Sequence, residues 1–212
     1  MRISEEEAAR RKKRILEAAR LEFGERGFHR STTRAIAKRA GVAEGSLYNY
    51  FSNKEGLLLG LLHDLNESEE REESFAQALA QPLRPFLKGY IQHRLMVMFS
   101  QKATFRALLP ELLTNAGLRE KYISDVVGPT FETATPLFET LIAQGRLLPM
   151  EVVPHLRMMA STIFGMLMLE LLGDNGTSEN WEEWPERLMK MYFDPWLPDT
   201  EMGTNGGRDE CN

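Results

Sequence analysis

The stretch TRAIAKRAGVAEGSLYNYF, residues 33–51, decides how the rest of the chain is read. Ile36 and Ala37 lie inside a first helix, and Ala37 is small enough to let a second helix cross closely. Gly41 makes the turn, Val42 plugs the angle between the helices, and Leu47 anchors the second helix from beneath. Two short helices crossing at a steep angle need these residue types at this spacing, so the segment reads as a helix-turn-helix. Ser31, Thr32 and Thr33 are N-cap candidates for the first helix, which is predicted through Ala40, and Gly41 suits the left-handed position after it. The second helix is predicted over Glu44 to Tyr50.

At about 100° per residue, Leu47 and Phe51 fall on one side of that second helix. Gly45 and Asn49 lie opposite, Ser46 lies nearby, and Tyr48 and Tyr50 flank the two sides. Such a face suits a major groove. Gly45 removes bulk, Ser46 and Asn49 can hydrogen-bond base edges, and two phenols can reach the groove walls. The competing account of Tyr48 and Tyr50 is packing with wet hydroxyls, and it weighs more for Tyr50, which lies nearer the apolar stripe. Thr32-Thr33 and Asn53-Lys54 open the helices on either side, where free N–H groups bind phosphate or are simply capped, and both roles can hold together. The run RRKKR at 10–14 either reaches neighbouring phosphates or a minor groove, or forms the solvated face of the first helix.

Working outward, nearly every segment has helical periodicity. A helix over Glu5 to Phe23 carries Ile15, Ala19 and Phe23 on one face. Another, capped by Asn53, runs through Leu57, Leu58, Leu61, Leu62 and Leu65. The charged stretch 66–74 is a helix continuation or a linker. Beyond it, helices are predicted at 83–102, 104–115, 117–145, 152–172 and 179–193. Breaks are expected at Gly117, around Gly145 and Pro149, and at 173–176, with a kink or break from Pro129 and Pro136. The tail from Asp199 has no apolar pattern and the composition of a disordered segment. The expected fold class is all-α: a helix-turn-helix domain over 1–65, a larger helical domain over 66–198, and a tail over 199–212.

Charge is unevenly shared. Residues 1–60 hold 13 Lys/Arg against 8 Asp/Glu, whereas the whole chain of 212 holds 26 against 31. A basic head on an acidic body points to a head that meets a polyanion. The only cysteine is Cys211, so no disulfide framework forms within one chain. No apolar leader opens the sequence, and the longest near-continuous apolar run, Ile163 to Leu169, is too short to span a bilayer. A cytoplasmic protein with no membrane partner is expected. The four histidines (His29, His63, His93 and His155) have no metal-ligand spacing and are expected at the surface. No nucleophile-elbow, phosphate-loop or dinucleotide motif is present, so neither enzyme activity nor a cofactor is expected.

The segment TTRAIAKRAGVAEGSLYNYFSNKEGLL, preceded by ILEAARLEFGERGF, resembles the DNA-binding domain of the TetR family of bacterial transcriptional regulators. The resemblance covers about residues 10–62. It rests on Thr33, Ile36, Ala37, Ala40-Gly41-Val42, Gly45, Leu47-Tyr48, Tyr50-Phe51 and Lys54-Glu55 falling in register. Beyond residue 65 only the number, length and order of helices are similar. The resemblance implies a two-fold dimer on a palindromic operator, mostly a repressor, released when a small molecule enters the C-terminal domain. It also implies DNA contacts by Thr33, Tyr48, Tyr50 and Lys54. Two positions depart from the family's habit: Ala43 stands where Ser or Thr often caps the recognition helix, and Glu44 beside it faces anionic DNA. The serine often found before the lysine is here Asn53, an equally good cap.

In the body, PHLRMMASTIFGMLMLELL, from Pro154 to Leu172, is too apolar for a one-sided surface helix. Ala160, Ser161 and Gly165 permit close approach, so one face is expected on its own chain and another on a symmetry mate, completed by 179–193. Met96, Phe99, Phe105, Phe131, Phe138, Phe164 and Met168, with Met98 and Met166, offer soft and aromatic walls for a small apolar or amphipathic effector, though each also suits plain core. His93, Arg94, Asn115 and Glu170 are candidate polar anchors. The alternative is a DNA-associated interaction protein or activator whose body docks a protein partner.

Overall fold

The structure is a computed structural model that describes residues 4–66 and 79–202. Among these residues there is no strand, and the all-α expectation holds. The charged stretch from 67 to 74 and the tail from 203 lie outside the described residues. The chain divides into two compact units: residues 1–68 with 101–129, and residues 69–100 with 130–212. The first unit therefore contains more than the N-terminal head.

That first unit opens with α1, Glu5–Arg26. Ser4 accepts from the Glu7 N–H at 3.2 Å, and Glu5, Glu6 and Glu7 complement the positive helix end. Ile15, Leu16, Ala18, Ala19 and Phe23 bury one face. α2, Thr33–Ala40, is capped by Thr32, whose Oγ1 accepts from Ala35 N at 3.1 Å. Gly41 then takes φ 66° and ψ 38°, and the Val42 N–H turns back to the Ala37 carbonyl at 3.0 Å. α3 spans only Glu44–Leu47, shorter than the expected Glu44 to Tyr50. Residues 48–50 continue as a tight turn, with Asn49 N on Ser46 O and Tyr50 N on Leu47 O. Ala43 supplies no side-chain cap. Gly45 and Asn49 are poor helix formers, so the helix lacks both a start signal and propensity to run further. α4, Lys54–Asn66, is capped as expected: Asn53 Oδ1 accepts from Gly56 N at 2.7 Å.

α6, Lys102–Thr114, and α7, Ala116–Tyr122, complete this unit; α6 packs on α1, and α7 on α4. The break expected at Gly117 falls at Asn115, because Asn115 Oδ1 accepts from Leu118 N at 3.0 Å and starts a new helix one residue on. Ile123–Val127 form a π-turn in which the Gly128 N–H reaches the Ile123 carbonyl, five residues back. Pro129 follows and has no N–H to sustain a regular ladder, which fits the kink expected there. Pro136 causes no break; it lies inside α8, Gly128–Ala143.

The second unit holds α5, Leu83–Ser100, α9, Val152–Leu171, a short α10, Gly176–Glu179, and α11, Trp184–Tyr192. Leu83, Leu87, Ile91, Leu95 and Phe99 form a strict i, i+4 stripe on α5, which packs on α9 and α11. The helix expected over 179–193 is split, with Pro185 in the first turn of α11. His155 corrects the expectation of surface histidines. It is only 6% exposed, and the Tyr192, Phe193 and Trp196 rings lie 5.7–5.9 Å away edge-on. Burial pushes its pKa down, opposed by a hydrogen bond that the ring donates to the Tyr192 backbone. His29, His63 and His93 are exposed.

α9 as a whole is long and apolar enough, by length and composition, to cross a membrane, which the shorter run Ile163 to Leu169 did not suggest. Only 33% of its most apolar window is buried in this chain. Met158, Phe164 and Leu169 are exposed on it, as are Leu172 directly after its end and Met191 on α11. Measured round the helix, Met158, Ser161, Gly165, Leu169 and Leu172 fall within an arc of about 80°. A Cβ on Gly165 would meet nothing within 4 Å, so the middle of this face is open.

An ion-pair cluster ties the start of α5 to the first turn of α11 and to Asp194 just beyond that helix. Arg84 binds Asp194 in a fork, both contacts at 3.0 Å, and also pairs with Glu186, which Lys88 meets at 2.9 Å. Hydrogen bonds from Arg84 and then Lys88 hold the Glu186 carboxyl at about 2, against an ordinary 4.5. A carboxyl whose pKa is depressed by folding stabilises the fold above its unfolded pKa, and that contribution is lost as pH falls through the folded value. Thermal unfolding of the wild type is expected to drop in midpoint between pH about 4.5 and about 2, and Glu186→Gln to flatten that part of the profile.

Candidate nucleic-acid interface

The α2–α3 corner places most of the predicted contact residues on one surface. Leu47 is fully buried and Phe51 is 6% exposed, so the inner side of α3 faces the core. Gly45 and Asn49 are exposed, and Tyr48 is 49% exposed. A Cβ on Gly45 would meet nothing within 4 Å, leaving the backbone open to a close-approaching surface. Ser46 and Tyr50 are half-buried, Thr32 is exposed and Thr33 half-buried. Thr32 is also committed as the α2 cap.

Tyr48 and Thr33 are not independent. Thr33 Oγ1 donates to Glu44 Oε1 at 3.0 Å and lies 3.1 Å from the Tyr48 hydroxyl. A threonine hydroxyl has one proton, so once it serves Glu44 the Tyr48 hydroxyl must be the donor to Thr33. The relay runs Tyr48 to Thr33 to Glu44 and ends on the carboxylate. Sequence reasoning placed these residues on one surface but not this bond, because a contact eleven residues apart depends on the crossing angle of α2 and α3.

Arg14 is the other feature the sequence did not disclose. Its Nη2 donates to the Ala40 carbonyl at 2.5 Å and to the Gly41 carbonyl at 3.3 Å. A cation there satisfies the last carbonyls of α2 and complements the negative helix end. Of the RRKKR run, Arg10, Lys12 and Lys13 are exposed, while Arg11 lies with Arg14 against Gly41, Val42, Ala43 and Ser46 around an open basic concavity. Arg39 is held away by Glu25, at 2.8 and 2.6 Å, and its hydrogen bonds keep that carboxyl below the ordinary range. Arg34 and Lys38 on α2 are exposed.

Lys54 sits differently from a purely outward phosphate ligand. Its Nζ donates to the carbonyls of Phe28 at 2.8 Å, Ser31 at 3.2 Å and His29 at 3.4 Å, and lies 4.3 Å from the centre of the Phe28 ring. It therefore closes the loop that leads into α2. His29, next in that loop, meets the buried Glu111 of α6 at 3.0 Å.

The seven candidate effector residues are divided between the two units. Phe105 belongs to the first unit and the others to the second. Met96 and Phe164 are exposed. Phe99 packs edge-on against Trp181, Phe138 stacks on Phe193, and Arg157 lies over the Phe131 ring. Met168 is half-buried. Of the polar anchors, Asn115 caps α7 and donates to Glu55 at 3.0 Å, Glu170 accepts from Ser178, His93 is exposed and Arg94 half-buried.

Residues 15–61, which contain this corner whole, match the family model described as bacterial regulatory proteins, tetR family. The head is a TetR-family helix-turn-helix domain. It is similar to a fatty acid metabolism regulator protein of Bacillus subtilis, 46% identical over 50 residues, which is 24% of this chain and 26% of that protein. It is also similar to the HTH-type transcriptional regulator TtgR of Pseudomonas putida, 40% identical over 70 residues, 33% of each chain. These matches span no more than a third of either relative's length. The fold likeness reaches further. SmeT, the repressor of the Stenotrophomonas maltophilia multidrug efflux pump SmeDEF, superimposes with a TM-score of 0.67 at 17% identity, over 92% of this chain and 94% of that one.

Its three carbonyl contacts make Lys54 a structural residue of the TetR-family head. Lys54→Met is expected to lower the unfolding midpoint, by the equivalent of about 1–3 kcal/mol, because three carbonyls lose a charged donor. Thermal unfolding followed by circular dichroism measures this directly.

Proposed function

We propose that this protein is a sequence-specific, DNA-binding transcriptional regulator that works as a homodimer and represses from a palindromic operator. The observation that carries the reading is the exposed arc of Gly45, Tyr48 and Asn49 on α3, set in a TetR-family head beside exposed basic side chains. Gly45 lets the backbone approach the major groove, Asn49 and Ser46 offer donors and acceptors to base edges, and Thr32, Thr33 and Tyr50 border them. Repression is supported by the fold shared with SmeT, which is named as a repressor. A cytoplasmic location goes with a DNA-binding role.

The dimer is supported by the open apolar arc of α9 with Met191 of α11. A second copy laid on the same arc would bury Met158, Leu169 and Leu172 on both sides of a two-fold axis, with Ser161 and Gly165 allowing the helices close together. Two heads would then meet successive major grooves about 34–36 Å apart. A small apolar effector in the second unit completes the reading, supported by the chemistry of Phe99, Phe131, Phe138 and Met168, soft and aromatic side chains suited to an irregular apolar ligand. Such a ligand acts only by binding the DNA-competent and incompetent dimers unequally.

Tyr48→Ala is expected to weaken operator binding by roughly tenfold or more without loss of dimer, and Asn49→Ala to change sequence preference. Leu169→Glu is expected to give monomers in sedimentation while helicity is kept. Wild-type protein that sediments as a monomer at micromolar concentration would end the dimer reading, and unchanged DNA binding in both head variants would end the assigned face.

A further inference from the structure

Glu44 sits at the start of α3, where a carboxylate would ordinarily be a handicap against anionic DNA. Its side chain is neither loose nor turned toward a cation among the described residues. Oε1 accepts from Thr33 Oγ1 at 3.0 Å, and no second hydrogen bond to the carboxylate is made among the described residues. Glu44 is half-buried, with the exposed Gly45 beside it and the exposed Tyr48 one turn further on, so it borders the face assigned to the groove. The Tyr48 proton is committed to Thr33, so Glu44 and Tyr48 both present acceptor lone pairs at this edge. The basic concavity around Arg11 and Arg14, lined also by Ala43 and Ser46, lies close by and offsets the repulsion from phosphates.

An edge made of acceptors selects a donor. In the major groove guanine shows two acceptors, thymine an acceptor and a methyl group, and adenine a donor next to the N7 acceptor. Cytosine shows the N4 amino donor without an adjacent acceptor of its own, and a carboxylate is the natural partner for that group. Resting on the DNA-binding reading above, we propose that Glu44 reads a cytosine in each half-site by accepting a hydrogen bond from its N4 amino group, with Thr33 as the residue that positions the carboxylate. The position that departs from the family's habit is then a reading position for this chain's own operator.

The test is selection of bound duplexes from a random-sequence library with the full-length wild type, Glu44→Gln and Thr33→Val. Binding is then measured on duplexes that differ only at the enriched positions. The wild type should show one position per half-site where cytosine is preferred on the order of tenfold over the other bases. Glu44→Gln should lose that preference or move it to adenine, which pairs with an amide in a bidentate manner, with every other position unchanged. Thr33→Val keeps the carboxylate and should weaken the preference without changing its identity, so the result does not hang on the folding of one variant. An identical consensus in Glu44→Gln and wild type overturns the proposal, including the case where loss of the charge merely tightens binding to all duplexes alike. A wild type that enriches no sequence at all overturns it together with the DNA-binding reading, whereas a consensus without a Glu44-dependent cytosine overturns it alone.

Discussion

The candidate DNA-facing surface depends on the turn at Gly41. Its backbone stands at φ 66°, a region that other residues enter at a cost, and a Cβ there would also meet Arg14 Nη2 at 3.1 Å. That same guanidinium holds the carbonyls of Ala40 and Gly41. One side chain from α1 thus fixes where α2 ends, and the turn fixes where α3 begins. The Thr33–Glu44 bond and the exposure of Gly45, Tyr48 and Asn49 follow from that crossing. Behind it the head is closely packed: a Cβ on Gly60 of α4 would come within 2.6 Å of the Phe51 ring and 3.0 Å of Leu16. A short α3 with no N-cap can hold a defined position only because Leu47 and Phe51 are locked from below.

The second unit has the opposite character. Its own core is complete along α5, where five apolar residues at i, i+4 spacing are buried, yet α9 leaves large apolar side chains in water. Leu172 at 80% exposed and Met191 at 64% are not the finish of a monomer surface that avoids association. The same composition that lets α9 pass for a membrane-crossing helix is that of a helix with two faces to cover. A second copy, the proposed occupant, would cover the spare face without requiring a bilayer, and the small residues Ser161 and Gly165 suit its close approach.

Much of this was legible in the sequence, and the reasons are local. Gly41, Ala37 and Leu47 report a helix-turn-helix because backbone conformation and close approach restrict which residues fit. Thr32 and Asn53 report helix starts because capping acts within three residues. What escaped is long-range. The Arg14 contacts to Ala40 and Gly41, the Lys54 contacts to three loop carbonyls and the burial of His155 among aromatic rings depend on where distant elements meet. α3 is shorter than its pattern suggests, since the amphipathic pattern continues through Phe51 although Asn49 and Tyr50 bond to carbonyls only three residues back. The effector candidates rest on side-chain type alone, which does not distinguish a cavity wall from a packed core, as Phe138 stacked on Phe193 illustrates.

The most direct measurement of the central claim is recovery of genomic fragments bound by the purified full-length protein, followed by footprinting on the recovered sites. The account predicts a shared inverted repeat, protected as two patches on one face of the duplex about one helical turn apart. Fragments with no motif in common, or a single protected patch without two-fold symmetry, would contradict it.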